Sequence, residues 1–386
     1  MFNKLATSQF LKTLDRVQYG SIAVTLPNGR RYDFAGREAG PIAEMTLNDW
    51  SVPLSVAKAG DCGLAESYRD GLWNTTNLQN LIAFGLSNER AIERYMNGNL
   101  VSKTMTNLSY LLRRNTMQGS RRNIQAHYDL GNDFYSLWLD STMTYSSALF
   151  SAPHENLATA QNNKYDRIID RLSGNSGSVL EIGCGWGGFA ERAVNRGDYT
   201  VKGITLSNEQ QAYAHERLGG NAEIVLEDYR AQRGTFDNIV SIEMFEAVGE
   251  SYWPTYFGKM SELLKKNGRA LVQTITIEDS LFEKYRHGSD FIRSFIFPGG
   301  MLPSPERFSQ EASRAGLRVT DRFDFGQDYA TTMEHWLHAF DSKINAVRML
   351  GYDEGFIRMW RFYLATCIAS FRSGRINVMQ TELQHV

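Results

Sequence analysis

Only three cysteines occur in 386 residues, Cys62, Cys184 and Cys367, far apart and odd in number. That scarcity excludes a disulfide framework or a paired-cysteine metal site, and it fits a reducing, cytoplasmic compartment. Charge of one sign is also missing: 41 Lys and Arg face 43 Asp and Glu, a formal −2. No global basic field therefore draws the chain to nucleic acid. No run of about 18 apolar residues occurs, so nothing reads as a membrane span. The opening stretch MFNKLATSQFLKTLDRVQYG is charged and interrupted, unlike a signal peptide. Internal repeats and low-complexity tracts are absent. Aromatic residues, at 12%, are what the chain has in quantity. They suit a well-filled core or a large apolar cavity, and the length allows one large domain and a smaller one.

The first ~110 residues mix strand signals with amphipathic helical stretches. SIAVTLPNGRRYDF carries a hairpin turn at Asn28-Gly29, and NLQNLIAFGLSNERAIERYM reads as helix. The polar LLRRNTMQGSRRN follows, with Arg113, Arg114, Arg121 and Arg122. It reads as an interdomain connector, or as a contact for anionic lipid head groups. From Val179 strand and helix alternate: SVLEIG, GGFAERAVNRG, YTVKGITL, SNEQQAYAHERLGG, NAEIVLED, FDNIVSIEMF, YWPTYFGKMSELLKKNG, RALVQTITI. Such alternation predicts an α/β fold with a mostly parallel sheet covered by helices. Ligands of such sheets sit beyond the carboxyl ends of the strands, here Gly183–Gly188, Thr205–Ser207, Glu227–Tyr229, Glu243–Glu246 and Gln273–Ile275. The expected division is a smaller α+β or mainly helical domain over 1–112, a basic linker over 113–123 and a catalytic domain over 124–386.

Gly183, Gly185 and Gly188 satisfy G-x-G-x-x-G, a weak signal alone. A dinucleotide site also wants an acid at the end of the second strand. That end reads GITLSNEQ, with no acid before Glu209. The acids come after the third strand, in LEDY, near where an adenine would lie. An adenosine ligand without a pyrophosphate is favoured, S-adenosylmethionine being the common case; a nicotinamide dinucleotide stays open.

QAHYDLGNDFYSLWLDSTMTYSSALF, VLEIGCGWGGFA, GITLSNEQ, EDYR, MFEAVG, FIFPGGMLPS and GQDYATTMEHW follow one another along the chain. In order and spacing they resemble the cyclopropane-fatty-acyl-phospholipid synthases, and GLAESYRDGLWNTTNL resembles the N-terminal part of that family's full-length bacterial members. The resemblance implies a class I methyltransferase fold of Rossmann-like type. It implies S-adenosylmethionine as methyl donor, an unsaturated acyl chain of a membrane phospholipid as acceptor, and a smaller domain that helps engage lipid. By the same resemblance Thr144, Tyr145 and Ser146 hold the cofactor's methionine end. Gly183, Gly185 and Gly187 allow close backbone approach, Thr205, Leu206 and Gln210 flank ribose and methionine, and Glu227 and Asp228 lie toward the adenine.

An alkene is a poor nucleophile, so its methylation leaves a carbocation. Such a cation wants aromatic faces, a nearby carboxylate and exclusion of water. A base must then remove a proton for the ring to close. In the family resembled that base is a bound bicarbonate, held by glutamate, tyrosine, histidine, cysteine and backbone. Glu246 and Tyr329 stand at the glutamate and tyrosine positions and Ile275 at the backbone contact. Ser147 replaces the cysteine and Gln273 the histidine. Both can form hydrogen bonds, but neither can take the positive charge a histidine can. The product implied is a cyclopropane chain; proton loss from a neighbouring carbon would instead give a methylene- or methyl-branched one.

By resemblance His127 lies near the active site, where it caps a helix or orients Glu246. His335-x-x-His338 has helical spacing but no third ligand, so no metal site is expected. DSLFEKYRHGSDFIRSFIFPGG is either core packing or a wall of the acyl cavity. The chain is expected to be cytoplasmic and peripheral on the inner face of the membrane. Homodimerisation and a downstream reductase stay open as partners. Two other classes remain, a nicotinamide oxidoreductase and a silent lipid- or cofactor-binding protein.

Overall fold

The computed structural model describes residues 2–96, 130–288 and 290–386. His127 and the segment 113–123 lie outside the described residues. The chain forms two compact units. One comprises Met1–Leu112, His287–Ile296 and Asp341–Ser373; the other comprises Arg113–Arg286, Phe297–Phe340 and Gly374–Val386. The expected uninterrupted catalytic stretch over 124–386 is thus crossed twice by segments that cluster with the first unit. Aromatic packing is the physical reason: Phe362 meets Phe291 edge-on at 4.9 Å and Tyr68 at 6.0 Å.

The first unit is α+β. Its strands β1 (Tyr19–Thr25), β2 (Arg31–Ala35), β3 (Glu38–Leu47) and β4 (Trp73–Asn74) form a sheet of order β2-β1-β3-β4. The Asn28-Gly29 turn joins β1 and β2 as an antiparallel pair, with Thr25 opposite Arg31. The predicted helix over 77–96 is two, Leu78–Ser87 and Glu89–Met96. Asn88 separates them because its side chain is spent on Gln18, Tyr19 and Phe84. From the helix Glu354–Arg372, Arg358 donates to the carbonyls of Tyr68 and Trp73, with its guanidinium 3.8 Å from the Tyr68 ring centroid.

Among the described residues the second unit carries seven strands: β5 (Ser176–Ile182), β6 (Asp198–Thr205), β7 (Glu223–Leu226), β8 (Phe236–Ile242), β9 (Leu264–Ile277), β10 (Leu317–Asp324) and β11 (Ile376–His385). Their order is β10-β11-β9-β8-β5-β6-β7. The five from β5 to β9 are mutually parallel, while β11 runs antiparallel to β9 and β10 antiparallel to β11. The mostly parallel sheet is as expected. The antiparallel pair was not foreseen, because β11 buries Gln380, Thr381 and Glu382 and so does not read as an apolar strand. Alternate residues feed two cores, Leu180, Ile239 and Val272 on one face and Val179, Val240 and Leu271 on the other. Order reverses between β5 and β8, which opens a crevice at their carboxyl ends.

Candidate active site

The turn after β5 needs positive φ at Gly183 (83°), Gly185 (52°) and Gly187 (83°) before the helix Gly188–Arg196 begins. A Cβ on Gly183 would come within 2.9 Å of the Met244 side chain, whereas one on Gly185 would meet nothing within 4 Å. Gly185 thus faces open space, the cradle a ligand would fill and a side chain would block. At the end of β6, the Thr205 hydroxyl donates to the Gln210 amide oxygen at 2.8 Å, and Ser207 caps the helix Asn208–Leu218. Leu206, Asp228, Tyr229, Arg230, Met244, Ala247 and Val248 line a cavity beside these strand ends. Its Leu206, Met244 and Val248 suit the flat apolar face of a purine. Asp228 is held by Arg230 through contacts of 2.8 and 2.6 Å, and Glu227 accepts from Gln232 at 2.5 Å. Asp228 borders the cavity, and both acids have their carboxylates already engaged.

Thr144 and Ser146 are buried and joined to the helix Leu157–Ile169. Thr144 shares a 2.8 Å hydrogen bond with the Tyr165 hydroxyl, and Lys164 Nζ donates to Ser146 Oγ at 2.6 Å. Lys164 is fully buried, which pulls its pKa down to about 7, although the charges of Glu243, Asp140 and Glu181 oppose that shift. Tyr145 sits in a chain of rings. Trp186, from the glycine turn, lies 5.2 Å from Tyr135, which lies 5.4 Å from Tyr145; Tyr145 lies 5.2 Å from Trp336, and Trp336 6.0 Å from Tyr329.

That aromatic wall ends on a carboxylate the sequence analysis did not single out. Glu243 Oε2 accepts from the Tyr329 hydroxyl at 2.6 Å. Oε1 accepts from Gln273 Nε2 at 2.7 Å and from the Ser147 backbone N–H at 2.9 Å. The Ser147 hydroxyl turns instead to the Ala148 carbonyl, so it is the backbone at 147 that serves the anion. Glu243 has φ of +49°, rare for a non-glycine residue and of the strained kind found where function requires it. Glu246 lies apart from this cluster of donors. Its Oε1 accepts from the Ile275 N–H at 2.5 Å, and its Oε2 is buried without a partner among the described residues. Burial, then the charge of Glu243, pushes Glu246 up to about 8. Burial also raises Glu243, but Tyr329, Ser147, Lys164 and Gln273 all favour its ionised form. The two carboxyls are therefore held differently, Glu246 by one main-chain donor and Glu243 by three donors and the nearby Lys164 charge.

The structure thus brings Tyr329, Gln273 and Ser147 onto Glu243, and Ile275 onto Glu246. The sequence places Glu243 at a strand's carboxyl end but gives it no role, because its donors lie 86, 30 and 96 residues away. Lys164 gave no signal, being one lysine on an amphipathic helix. His335 stacks on Phe150 with rings 15° apart. The segment DSLFEKYRHGSDFIRSFIFPGG is divided between the units, with Phe282 buried in one and Phe291 in the other.

Sheet order, glycine turn and strand-end pocket together define a class I methyltransferase. The family described as mycolic acid cyclopropane synthetase matches residues 115–381. Cyclopropane-fatty-acyl-phospholipid synthase of Escherichia coli is 35% identical over 331 residues, 84% of this chain and 83% of its own length. Tuberculostearic acid methyltransferase of Mycobacterium tuberculosis is 41% identical over 278 residues, 68% of this chain but 65% of its own length, just under two thirds. Among solved structures, cyclopropane synthase MmaA2 of M. tuberculosis superposes with a TM-score of 0.64 at 30% identity, over 68% of this chain and 97% of that one. Cyclopropane synthase CmaA1, solved with S-adenosylhomocysteine, also gives 0.64, at 32% identity over 68% and 98% of the two chains. The chain belongs to the cyclopropane synthase family and is an S-adenosylmethionine-dependent methyltransferase. Among the described residues no helix is long and apolar enough to cross a membrane.

Proposed function

We propose that the protein methylates the cis double bond of an unsaturated acyl chain in membrane phospholipid and closes it to a cyclopropane. The observation that carries this reading is the aromatic wall running from Trp186 to Tyr329 and meeting the Glu243 carboxylate. A developing carbocation is stabilised by just these groups, and an enclosed wall keeps water from trapping it as an alcohol. S-adenosylmethionine supplies the electrophilic methyl on its sulfonium. Gly183, Gly185 and Gly187 would bring backbone close to it, while Thr205, Leu206 and Gln210 would flank its ribose and methionine parts and Glu227 and Asp228 would lie toward the adenine. Tyr145 and the buried Thr144 and Ser146 flank its methionine end. Glu246, Tyr329, Gln273, Ser147 and Ile275 surround the place where the proton is lost.

A second reading is a methylene- or methyl-branched product. Gln273, unlike a histidine, cannot take up and pass on a proton, and the relative at 41% identity is named for tuberculostearic acid. The enzyme then acts as a cytoplasmic protein held peripherally on the bilayer, with the arginines over 113–122 attracted to anionic lipid. The test is incubation with S-adenosylmethionine and vesicles of cis-unsaturated phospholipid. Fatty-acid methyl esters are then separated by gas chromatography and read by proton NMR. A saturated chain with cyclopropane protons supports the main reading, vinylic methylene protons the second. Unmodified chains in both anionic and neutral vesicles reject both.

A further inference from the structure

We propose that Glu243 is the base of this reaction, a side-chain carboxylate built into the position where the family resembled binds bicarbonate. The proposal rests on the reading above and names the group that takes the proton. Three of the positions assigned to bicarbonate by resemblance converge on Glu243: the Tyr329 hydroxyl at 2.6 Å, Gln273 Nε2 at 2.7 Å and the main chain of Ser147 at 2.9 Å. The other two, Glu246 and the Ile275 N–H, are bonded to each other. Among the described residues the Tyr329, Gln273 and Ser147 donors an external anion would use are therefore taken by Glu243, and of the five groups only Glu246 keeps an unpartnered oxygen. Glu243 is also held at φ +49°, a conformation glycine adopts freely and glutamate does not. Strain at this point has a use if the side chain itself is needed there.

The lone pairs set the direction of the step. Among the described residues Oε1 accepts two hydrogen bonds and Oε2 one, so Oε2 keeps a lone pair for the incoming proton. When the methyl carbon has bonded to one alkene carbon, its neighbour is left cationic. Oε2 takes a proton from the new methyl group, and the electron pair of that C–H bond closes the ring. The positive charge leaves the chain as the proton on Glu243, which becomes neutral and returns it to solvent after product departs. No bicarbonate enters the balance.

The experiment compares wild type, Glu243→Gln and Glu243→Gly in carbonate-free buffer and with added bicarbonate. Methylation of unsaturated vesicles is followed together with calorimetric binding of S-adenosylhomocysteine and of bicarbonate. Wild type is expected to turn over at the same rate with or without bicarbonate and to bind none. Glu243→Gln should lose roughly 10²-fold or more in rate while keeping S-adenosylhomocysteine affinity within threefold. Glu243→Gly opens the anion's place and should bind bicarbonate and recover activity with it. A wild type that binds bicarbonate or needs it for turnover, or a Glu243→Gln enzyme of near-normal rate, overturns the assignment. A wild type that methylates no lipid, while the bicarbonate titrations run as expected, rejects the proposed substrate and leaves the anion site standing.

Discussion

Two short stretches of the second unit, the turn over Gly183–Gly187 and the strand end at Glu243, share a left-handed backbone and use it in opposite ways. In the turn, positive φ comes free with glycine, and the missing side chain leaves the open face at Gly185. At Glu243 the same region of φ is imposed on a residue whose side chain is indispensable to the local network. On the function proposed, the first region would meet a ligand that brings its own reactivity, so bare backbone suffices. The second must supply charge, and three donors from distant parts of the chain hold it in place. Binding here is local and chemistry is distributed, and substitutions should tell the two apart.

The largest effect belongs to the turn. Gly185→Val is expected to abolish S-adenosylmethionine binding, because valine fills the open face and resists φ of +52°. Calorimetric affinity within twofold of wild type would remove the cofactor from this turn. On the other side of the comparison, Tyr329→Phe should leave affinity for the cofactor intact. Among the described residues it deletes the one donor to Glu243 Oε2, and a hydrogen bond to a charged group is worth ~1.5–3 kcal/mol, so kcat should fall roughly 10- to 10²-fold. A change in cofactor KM with constant kcat would place Tyr329 in binding instead.

The difference also explains what could be read in advance. Glycines, the Ser207 cap and the parallel βα units are written in a few consecutive residues, and the fold and the geometry of the glycine turn follow from them. The mature strand β9 begins at Leu264, earlier than expected, because KKNG continues the strand where its composition suggests a helix end. Glu243 and Glu246 are the same residue type three positions apart, and only long-range partners distinguish them. Those partners come from the loop at Ser147, from β9 and from the helix Gly326–Ser342, whose convergence no local pattern records.

The contrast between the two carboxyls predicts a stability change with pH. Glu246 lies near 8 in the folded protein against an ordinary 4.5. Between those values the unfolded chain has lost its proton while the folded one keeps it. Stability therefore falls as pH rises from about 4.5 to about 8, and the contribution is complete only below that window. Glu246→Gln keeps the hydrogen-bonding shape and removes the titration. Melting temperatures at pH 5.5 and 8.0 should shift progressively in favour of the variant at the higher pH. A constant difference at both pH values would mean that Glu246 is ionised throughout.

The smallest effect reaches Glu243 through groups that never touch substrate. Arg167 Nη1 donates to Gln380 Oε1 at 2.7 Å, Gln380 Nε2 to Gln273 Oε1 at 2.9 Å, and Gln273 Nε2 to Glu243 Oε1 at 2.7 Å. Arginine can only donate and a carboxylate only accept, so the two ends fix the orientation of both amides between them. Asp321, 3.1 Å from Arg167, anchors the outer end. Gln380 is thus a positioning residue: it presents the NH2 of Gln273, rather than its oxygen, to the base. Gln380→Leu releases that constraint and weakens one hydrogen bond to Glu243, so kcat should fall about five- to tenfold with cofactor affinity unchanged. Loss of a donor to the ionised form also raises the carboxyl's pKa, which should move the acid limb of the kcat/KM profile to higher pH. A purely structural role would lower the melting temperature and leave that limb in place.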